Sequence, residues 1–305
     1  MISNRKRMDI RLGFECNNAC LFCAVGLERE TISSKTTGQV KEDITEAKKL
    51  GIDQLDFTGG EPTIRKDIFE IISYAKSLGF PIIQMQSNGR MFSYKNFSDR
   101  LIKSGLTAIG FLFPSHKKQI YELLTQAKGS YGQVLKAFEN IKDSDLHIST
   151  ITVVNKYNFE DLPETTRFLA GLNNKFKNYF AEFNFIMPSG DAWKNKERLI
   201  PKITKTIPYI KKSLNISKKN NFELNIEGIP LCFLQGFEDN IVEFGMASDW
   251  QMRMGNGIVE DFNKRRLEKG RSKGPQCEEC NLNNKCNGLY KGYELIHGFG
   301  ELKPI

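Results

Sequence analysis

Two spacings of apolar residues take turns along the chain. Met8, Ile10 and Leu12 recur at every second position, between Asp9, Arg11 and Gly13, which is the period of a strand. Val40, Ile44, Ala47 and Leu50 then recur at helical spacing, and Gly51 closes them. The change repeats. A strand over 54–57 runs into Gly59-Gly60, a helix over 67–78 closes at Gly79, and a strand over 81–86 runs into Ser87-Asn88-Gly89. A helix over 94–104 and a strand over 107–113 follow, and helices fill much of 116–142. A strand over 147–154 ends at Asn155, a helix spans 159–171, and a strand over 178–186 ends near Pro188-Ser189-Gly190. About six β–α units in succession predict a parallel sheet, open or rolled into a barrel. Polar, often Gly-containing segments fall just after the strands, the end at which parallel α/β folds bind ligands.

Beyond residue 222 the alternation fades and Gly and Cys become frequent. This predicts a core over 1–221 and, over 222–305, a small extension whose core is too thin to stand without help. The 305 residues are 40% hydrophobic and carry a net charge of +8, which accords with a soluble packed domain. The lysine-rich stretch 194–219 holds Ile200, Ile203, Ile207, Ile210 and Leu214 at helical spacing, so its lysines read as a solvated helix face. Basic runs with interleaved aromatics are lacking, which argues against nucleic acid as the main partner, while an anionic substrate stays open. No apolar run is long enough to span a membrane. The basic start, Met1 to Arg7, has no apolar signal region after it, so a cytoplasmic protein is expected. Seven cysteines, six of them in two tight groups, do not form a disulfide framework.

The first group is Cys16-Asn17-Asn18-Ala19-Cys20-Leu21-Phe22-Cys23, on the loop after the first strand. Thiolates are soft ligands that suit iron–sulfur clusters or zinc. Three fit a cubane with one iron left open, whereas structural zinc wants a fourth ligand. His116, His147 and His297 are isolated in sequence, so a zinc site would need a distant partner. C-x3-C-x-aromatic-C in this position resembles the signature of radical S-adenosylmethionine (SAM) enzymes. The resemblance covers about 8–190. It implies a partial (β/α)6 TIM-like barrel of the α/β class and a [4Fe–4S] cluster on Cys16, Cys20 and Cys23. It further implies SAM chelated to the open iron and cleaved reductively to a hydrogen-abstracting 5′-deoxyadenosyl radical. Phe22 matches the aromatic near the adenine. Gly59-Gly60-Glu61 matches the stretch that holds the SAM amino group. Ser87, Asn88, Asn155 and Met187 match strand-end positions that reach SAM's methionine, ribose or adenine parts.

The second group, Cys277, Cys280 and Cys286, is spaced C-x2-C-x5-C, with Cys232 upstream. Four thiols make a full set for one cubane or one zinc. The spacing resembles the core of the SPASM extension, with a departure. SPASM domains carry about twice as many cysteines, and Tyr290 stands where a further one would follow. The resemblance therefore implies one auxiliary [4Fe–4S] cluster, closer to the shortened twitch variant, with zinc as the alternative. Three and four ligands use all seven cysteines, which leaves no thiol to quench a substrate radical. Tyr290 and Tyr293 remain as redox or acid–base candidates beside a packing role. The expected activity is modification of a peptide or protein side chain, fed by a donor such as flavodoxin or ferredoxin. A small metabolite or nucleotide, or a tRNA, is the alternative substrate. A metal-dependent regulatory or scaffold protein, which would not cleave SAM, is the non-enzymatic rival.

Overall fold

The computed structural model describes residues 6–244, 249–255 and 257–305, so the basic start up to Arg5 lies outside the described residues. Its strands are β1 (Lys6–Gly13), β2 (Gln54–Gly59), β3 (Ile82–Ser87), β4 (Ala108–Leu112), β5 (His147–Val154), β6 (Asn178–Phe185), β7 (Leu224–Glu227), β8 (Asp249–Met254) and β9 (Gly257–Val259). Among the described residues these nine form one sheet, in the order β7-β6-β5-β4-β3-β2-β1-β8-β9. Every neighbouring pair from β7 to β8 is parallel, and β9 returns antiparallel. The helices are α1 (Glu28–Thr31), α2 (Thr37–Lys49), α3 (Ile68–Ser77), α4 (Lys95–Ser104), α5 (Lys118–Thr125), α6 (Ser130–Ile141), α7 (Leu162–Asn173), α8 (Gly190–Lys194), α9 (Lys196–Leu199), α10 (Ile203–Lys219), α11 (Phe262–Gly270) and α12 (Tyr293–His297). The short pair β10 (Arg271–Ser272) and β11 (Leu289–Tyr290) is antiparallel.

Alternation within each strand decides which face is core. Met8, Ile10 and Leu12 of β1 are buried against the helices, while Arg7, Asp9 and Arg11 face the concave side. Local signals fix the helices between. Thr36 caps α2 by accepting from Gln39 N, and Gln39 Oε1 accepts from Thr36 N, a reciprocal cap. Val40, Ile44 and Ala47 on that helix are fully buried. The parallel sheet read from the β–α alternation is present, in the partial-barrel form that the resemblance implied.

The region after 222, expected to have too thin a core to stand without help, is tied into the barrel sheet. Its β7 pairs with β6, and its β8 pairs with β1 on the side away from β2. Both join the barrel sheet, and a buried Arg253 on β8 reaches back to Glu46 of α2 at 3.1 Å. Sequence periodicity misses β7 because it has only four residues, and β8 because its partner β1 lies far away in sequence.

Candidate active site

The Cys loop is built from the end of β1 outward. A bulge between Arg11 and Gly13 slips the pairing with β2, so that Gly13 lies against Gly59. Gly60 N then donates to Gly13 O at 2.8 Å, and Glu61 N to Glu15 O at 2.8 Å. A side chain on Gly60 would put its Cβ 2.1 Å from Glu15 O, and one on Gly59 would lie 2.2 Å from Gly13 O. The two glycines are there so that two backbones can touch.

Other strand ends tie down the rest of the loop. Ala19 N and Leu21 N donate to Thr125 O and Leu124 O, at 3.2 and 3.0 Å. Asp191 N donates to Cys23 O at 2.8 Å, and Asn195 Nδ2 to Leu21 O at 3.1 Å. Arg90 donates through Nη1 to Asn17 O and to Asn18 Oδ1.

Donors converge on the sulfurs. Asn18 N lies 3.4 Å from Cys16 Sγ, Asn88 Nδ2 3.9 Å from the same atom, and Arg29 Nη2 3.6 Å from Cys23 Sγ. Two further buried donors of this loop, Asn18 Nδ2 and Arg29 Nε, have no partner among the described residues. Burial pushes all three thiols up; Glu61 adds to the rise at Cys16, Cys16 and Cys23 at Cys20, and Asp191 at Cys23, while Arg29 opposes it at all three. A nest of hydrogen-bond donors with spare capacity around crowded thiols fits an anionic, thiolate-held group.

Glu61 is buried and fully engaged. Its Oε1 accepts from Thr63 N (3.1 Å), Thr63 Oγ1 (2.5 Å) and Ser87 Oγ (2.8 Å), and its Oε2 accepts from Asn88 N (2.7 Å). A carboxylate has about four acceptor sites, so these donors fill it. The side chain thereby braces the end of β2 to the end of β3, and burial raises its pKa against those hydrogen bonds.

A cleft of about 1190 Å³, counting the part open to solvent, runs from this loop into the concave face. Phe22, Gly59 and Met187 line it. Ser87 and Asn88 lie instead beneath the loop, where Asn88 Nδ2 donates to Asn17 Oδ1 at 2.7 Å. Asn155 is set apart. It is fully buried, its Oδ1 accepts from Tyr157 N at 3.0 Å, and its Nδ2 donates to Val153 O at 2.8 Å. The amide that was expected to face SAM is spent on turning the chain after β5.

Sequence reasoning missed the cleft's lining charges, Arg7, Asp9, Arg11, Glu227, Arg266 and Arg271, and the buried Asp56 and Glu182 that face Arg7. Their signal was an ionisable residue at every second place in strands otherwise apolar, as in Leu55-Asp56-Phe57. Burial and the nearby Glu227 push the Glu182 carboxyl up to about 7, with Arg7 opposing. Burial raises Asp56 while its ion pair with Arg7 pulls the other way.

The second cysteine set comes together at a separate cavity of about 360 Å³, lined by Cys232, Cys277, Cys280 and Cys286. Gly288 N donates to Cys286 Sγ at 3.4 Å, and burial pushes the Cys232 and Cys277 thiols up. Leu302, Lys303 and Pro304 complete the wall, and Asn281 N donates to Ile305 O at 2.8 Å. An all-thiol donor set in one cavity fits a cluster or zinc. Tyr293 is buried, donates to Glu301 and accepts from Ile203 N at 2.8 Å, which makes it a strut. Tyr290 lies under the Arg271 guanidinium, 3.8 Å from ring centre, on the cleft wall. The three histidines stay isolated from both sets: His116 Nδ1 meets Thr165, His297 Nε2 meets Ile200 O, and His147 is exposed on β5.

The model of the family described as the radical SAM superfamily matches residues 10–169. The chain belongs to the radical SAM superfamily. Membership makes it an iron–sulfur enzyme that works with a [4Fe–4S] cluster and SAM. A probable GTP 3′,8-cyclase of Saccharolobus solfataricus is 31% identical over 159 residues, covering 50% of this chain and 49% of that one. The PqqA peptide cyclase of Granulibacter bethesdensis is 31% identical over 157 residues, covering 50% and 40%. The matched stretch thus spans about half the length of these curated relatives or less. Streptococcus suis SuiB bound to S-adenosylmethionine superposes with a TM-score of 0.70 at 15% identity, over 99% of this chain and 77% of that one. The anSMEcpe enzyme with bound AdoMet and Cp18Cys peptide gives 0.66 at 13%, over 92% and 88%. At such identities the likeness is one of fold, and it extends through the Cys-rich end, which fits a SPASM/twitch extension. No helix among the described residues is long and apolar enough to cross a membrane.

Proposed function

We propose that this radical SAM enzyme modifies a side chain of a peptide or protein. The observation that carries the reading is the charge of the cleft. All but one of its arginines are held by carboxylates within hydrogen-bond distance: Arg7 by Asp9 and Asp56, Arg266 by Glu227, and Arg271 by Glu243, while Arg11 has a looser ion pair with Glu28 at 3.8 Å. A cleft so balanced has little to offer a triphosphate, which wants several unmatched cations. It suits a largely neutral chain entering through a wide mouth. Fold likeness to SuiB and anSMEcpe, whose structures include peptide complexes, supports the same reading. Kinship with GTP 3′,8-cyclases is confined to about half of the chain and supports a nucleotide only as the second choice.

In this reading Cys16, Cys20 and Cys23 hold the cluster, and Asn18, Asn88 and Arg29 donate to its sulfurs. Glu61, with Ser87 and Asn88, braces the Gly59-Gly60 backbone on which SAM rests, and Phe22 and Met187 flank SAM at the cleft. When bound, the cluster and SAM supply a 5′-deoxyadenosyl radical that abstracts hydrogen from the substrate. Residues 1–221 form the functional core. Residues 222–305 close the barrel and carry an auxiliary [4Fe–4S] cluster on Cys232, Cys277, Cys280 and Cys286, with zinc as the alternative. A low-potential donor of the flavodoxin or ferredoxin kind supplies electrons. The test is anaerobic reconstitution followed by turnover of SAM with peptide pools and with GTP. Peptide-stimulated 5′-deoxyadenosine is the expected result. Stimulation by GTP alone would reject the peptide reading.

A further inference from the structure

One arginine in the cleft is paired only loosely. Arg11 shares a face of β1 with Arg7 and Asp9 and lines the cleft at the strand's exit, opposite Thr58 of β2. Arg7 donates to Asp9 at 2.6 Å, Arg266 to Glu227 at 2.6 Å, and Arg271 to Glu243 at 2.9 Å. Arg11 has no such partner among the described residues. Its nearest carboxylate is Glu28 at 3.8 Å, beyond hydrogen-bond distance, and the Phe14 ring centre lies 5.9 Å from its guanidinium. Its side chain is only 18% exposed, so water compensates it poorly. Burial pushes its pKa below the ordinary value, Glu28 and Asp9 pull back, and Arg265 of α11 adds like charge across the cleft.

We propose that Arg11 anchors one carboxylate of the substrate. This rests on the peptide reading above and narrows it. A guanidinium offers a planar fork of donors that matches a carboxylate in two-point contact. Glu28 pairs with Arg11 only through space and takes none of its N–H donors, so the fork can receive one more carboxylate, from an Asp or Glu side chain or a chain terminus. Its position matters as much as its charge. Arg11 precedes Cys16 by five residues and sits beside Thr58 and Gly59, so the carboxylate is held next to the sulfur-bearing loop. The residue that carries it, or its neighbour, is then the one presented for hydrogen abstraction.

Arginine-selective labelling tests this without a variant. The anaerobically reconstituted protein, with SAM, is treated with phenylglyoxal, and the modified arginines are read by peptide mass spectrometry. Four probes are compared: an end-blocked alanine-rich peptide with a central Glu, the same peptide with Gln, the Gln peptide with a free C-terminal carboxylate, and GTP. We expect Arg11 to react about tenfold faster than the doubly paired Arg7. The Glu peptide should slow Arg11 by about fivefold or more and the blocked Gln peptide should not, as two-point carboxylate recognition requires. Protection by the free-terminus Gln peptide instead assigns the terminal carboxylate and equally supports the anchor. Equal protection by the blocked Gln peptide, or none by either carboxylate, overturns the anchor and leaves the peptide reading to the SAM-turnover experiment. Protection by GTP at lower concentration than either peptide overturns both.

Discussion

The two cysteine sets sit in opposite structural situations. The loop of Cys16, Cys20 and Cys23 is held by the barrel: backbone or side-chain groups from the segments after β2, β3 and β6, and the end of α5, all donate to it or accept from it. Its shape is set before any cluster arrives. The cavity of Cys232, Cys277, Cys280 and Cys286 has walls of short turns and the last residues of the chain, with Leu302 the main buried apolar side chain among them. There the bound group holds the protein more than the protein holds the group. The contrast suggests a division of labour. A preorganised loop at the strand ends serves chemistry, and the Cys-rich terminus, under the proposal above, holds its own cluster or zinc in the second cavity.

The contrast can be broken most forcefully at the second set. Replacing Cys277 and Cys280 together by Ala should release that group and unfold the segment after residue 270 locally. Hydrogen-exchange protection there should fall by about a hundredfold or more, in line with folding driven by a bound metal group. Iron should drop to about half, while SAM cleavage without substrate should persist. Unchanged exchange after 270 would show that packing alone suffices. Unchanged iron, with zinc found in the wild type, would assign that metal to the second site.

A smaller effect sharpens the other side. Gly60→Ala forces a Cβ against the Glu15 carbonyl at 2.1 Å, where neither backbone can yield cheaply. We expect a loss of about 2–3 kcal/mol in unfolding free energy, the range for overpacked sites, with weaker cluster retention. The corresponding change at Gly236, which has no atom near its would-be Cβ but a positive φ of 79°, should cost about 1 kcal/mol and leave the cluster intact. If the two variants retain iron equally, the close backbone contact is not what shapes the loop.

The cleft between the two sets adds a pH signature. Glu182 titrates near 7 in the folded chain against an ordinary 4.5, because burial and Glu227 disfavour its charge. The folded state therefore keeps a proton that the unfolded state has lost between those values, and stability falls as pH rises from 4.5 to 7. Glu182→Gln should remove up to about 3 kcal/mol of that decline, measured by denaturant unfolding across the range. Parallel pH curves for the two proteins would refute the assignment.

How much of this was legible beforehand follows from which interactions are local. Strand and helix order came from periods of two and of about 3.6, which short stretches such as Met8 to Leu12 display on their own. The Cys loop was legible because its C-x3-C-x2-C spacing restricts the chemistry, and Gly59-Gly60 because, beside that loop, it resembles the family's second motif. The union of β8 with β1 was not, since it joins residues far apart in sequence through a strand of six. Nor were the ion pairs of the cleft. Asp56 and Glu182 look like interruptions of apolar strands until the sheet curls and turns them toward Arg7. Asn155 shows another side of locality: a polar residue at a strand end whose amide also closes its own turn.

The central claim is that the first set alone carries the SAM chemistry. The direct measurement is reductive SAM cleavage by the reconstituted variant in which Cys16, Cys20 and Cys23 are all Ala, with iron counted on the same sample. The account predicts no 5′-deoxyadenosine, iron reduced to that of the second site, and a thermal midpoint close to wild type because the barrel holds the loop unaided. Continued formation of 5′-deoxyadenosine by this variant would contradict it.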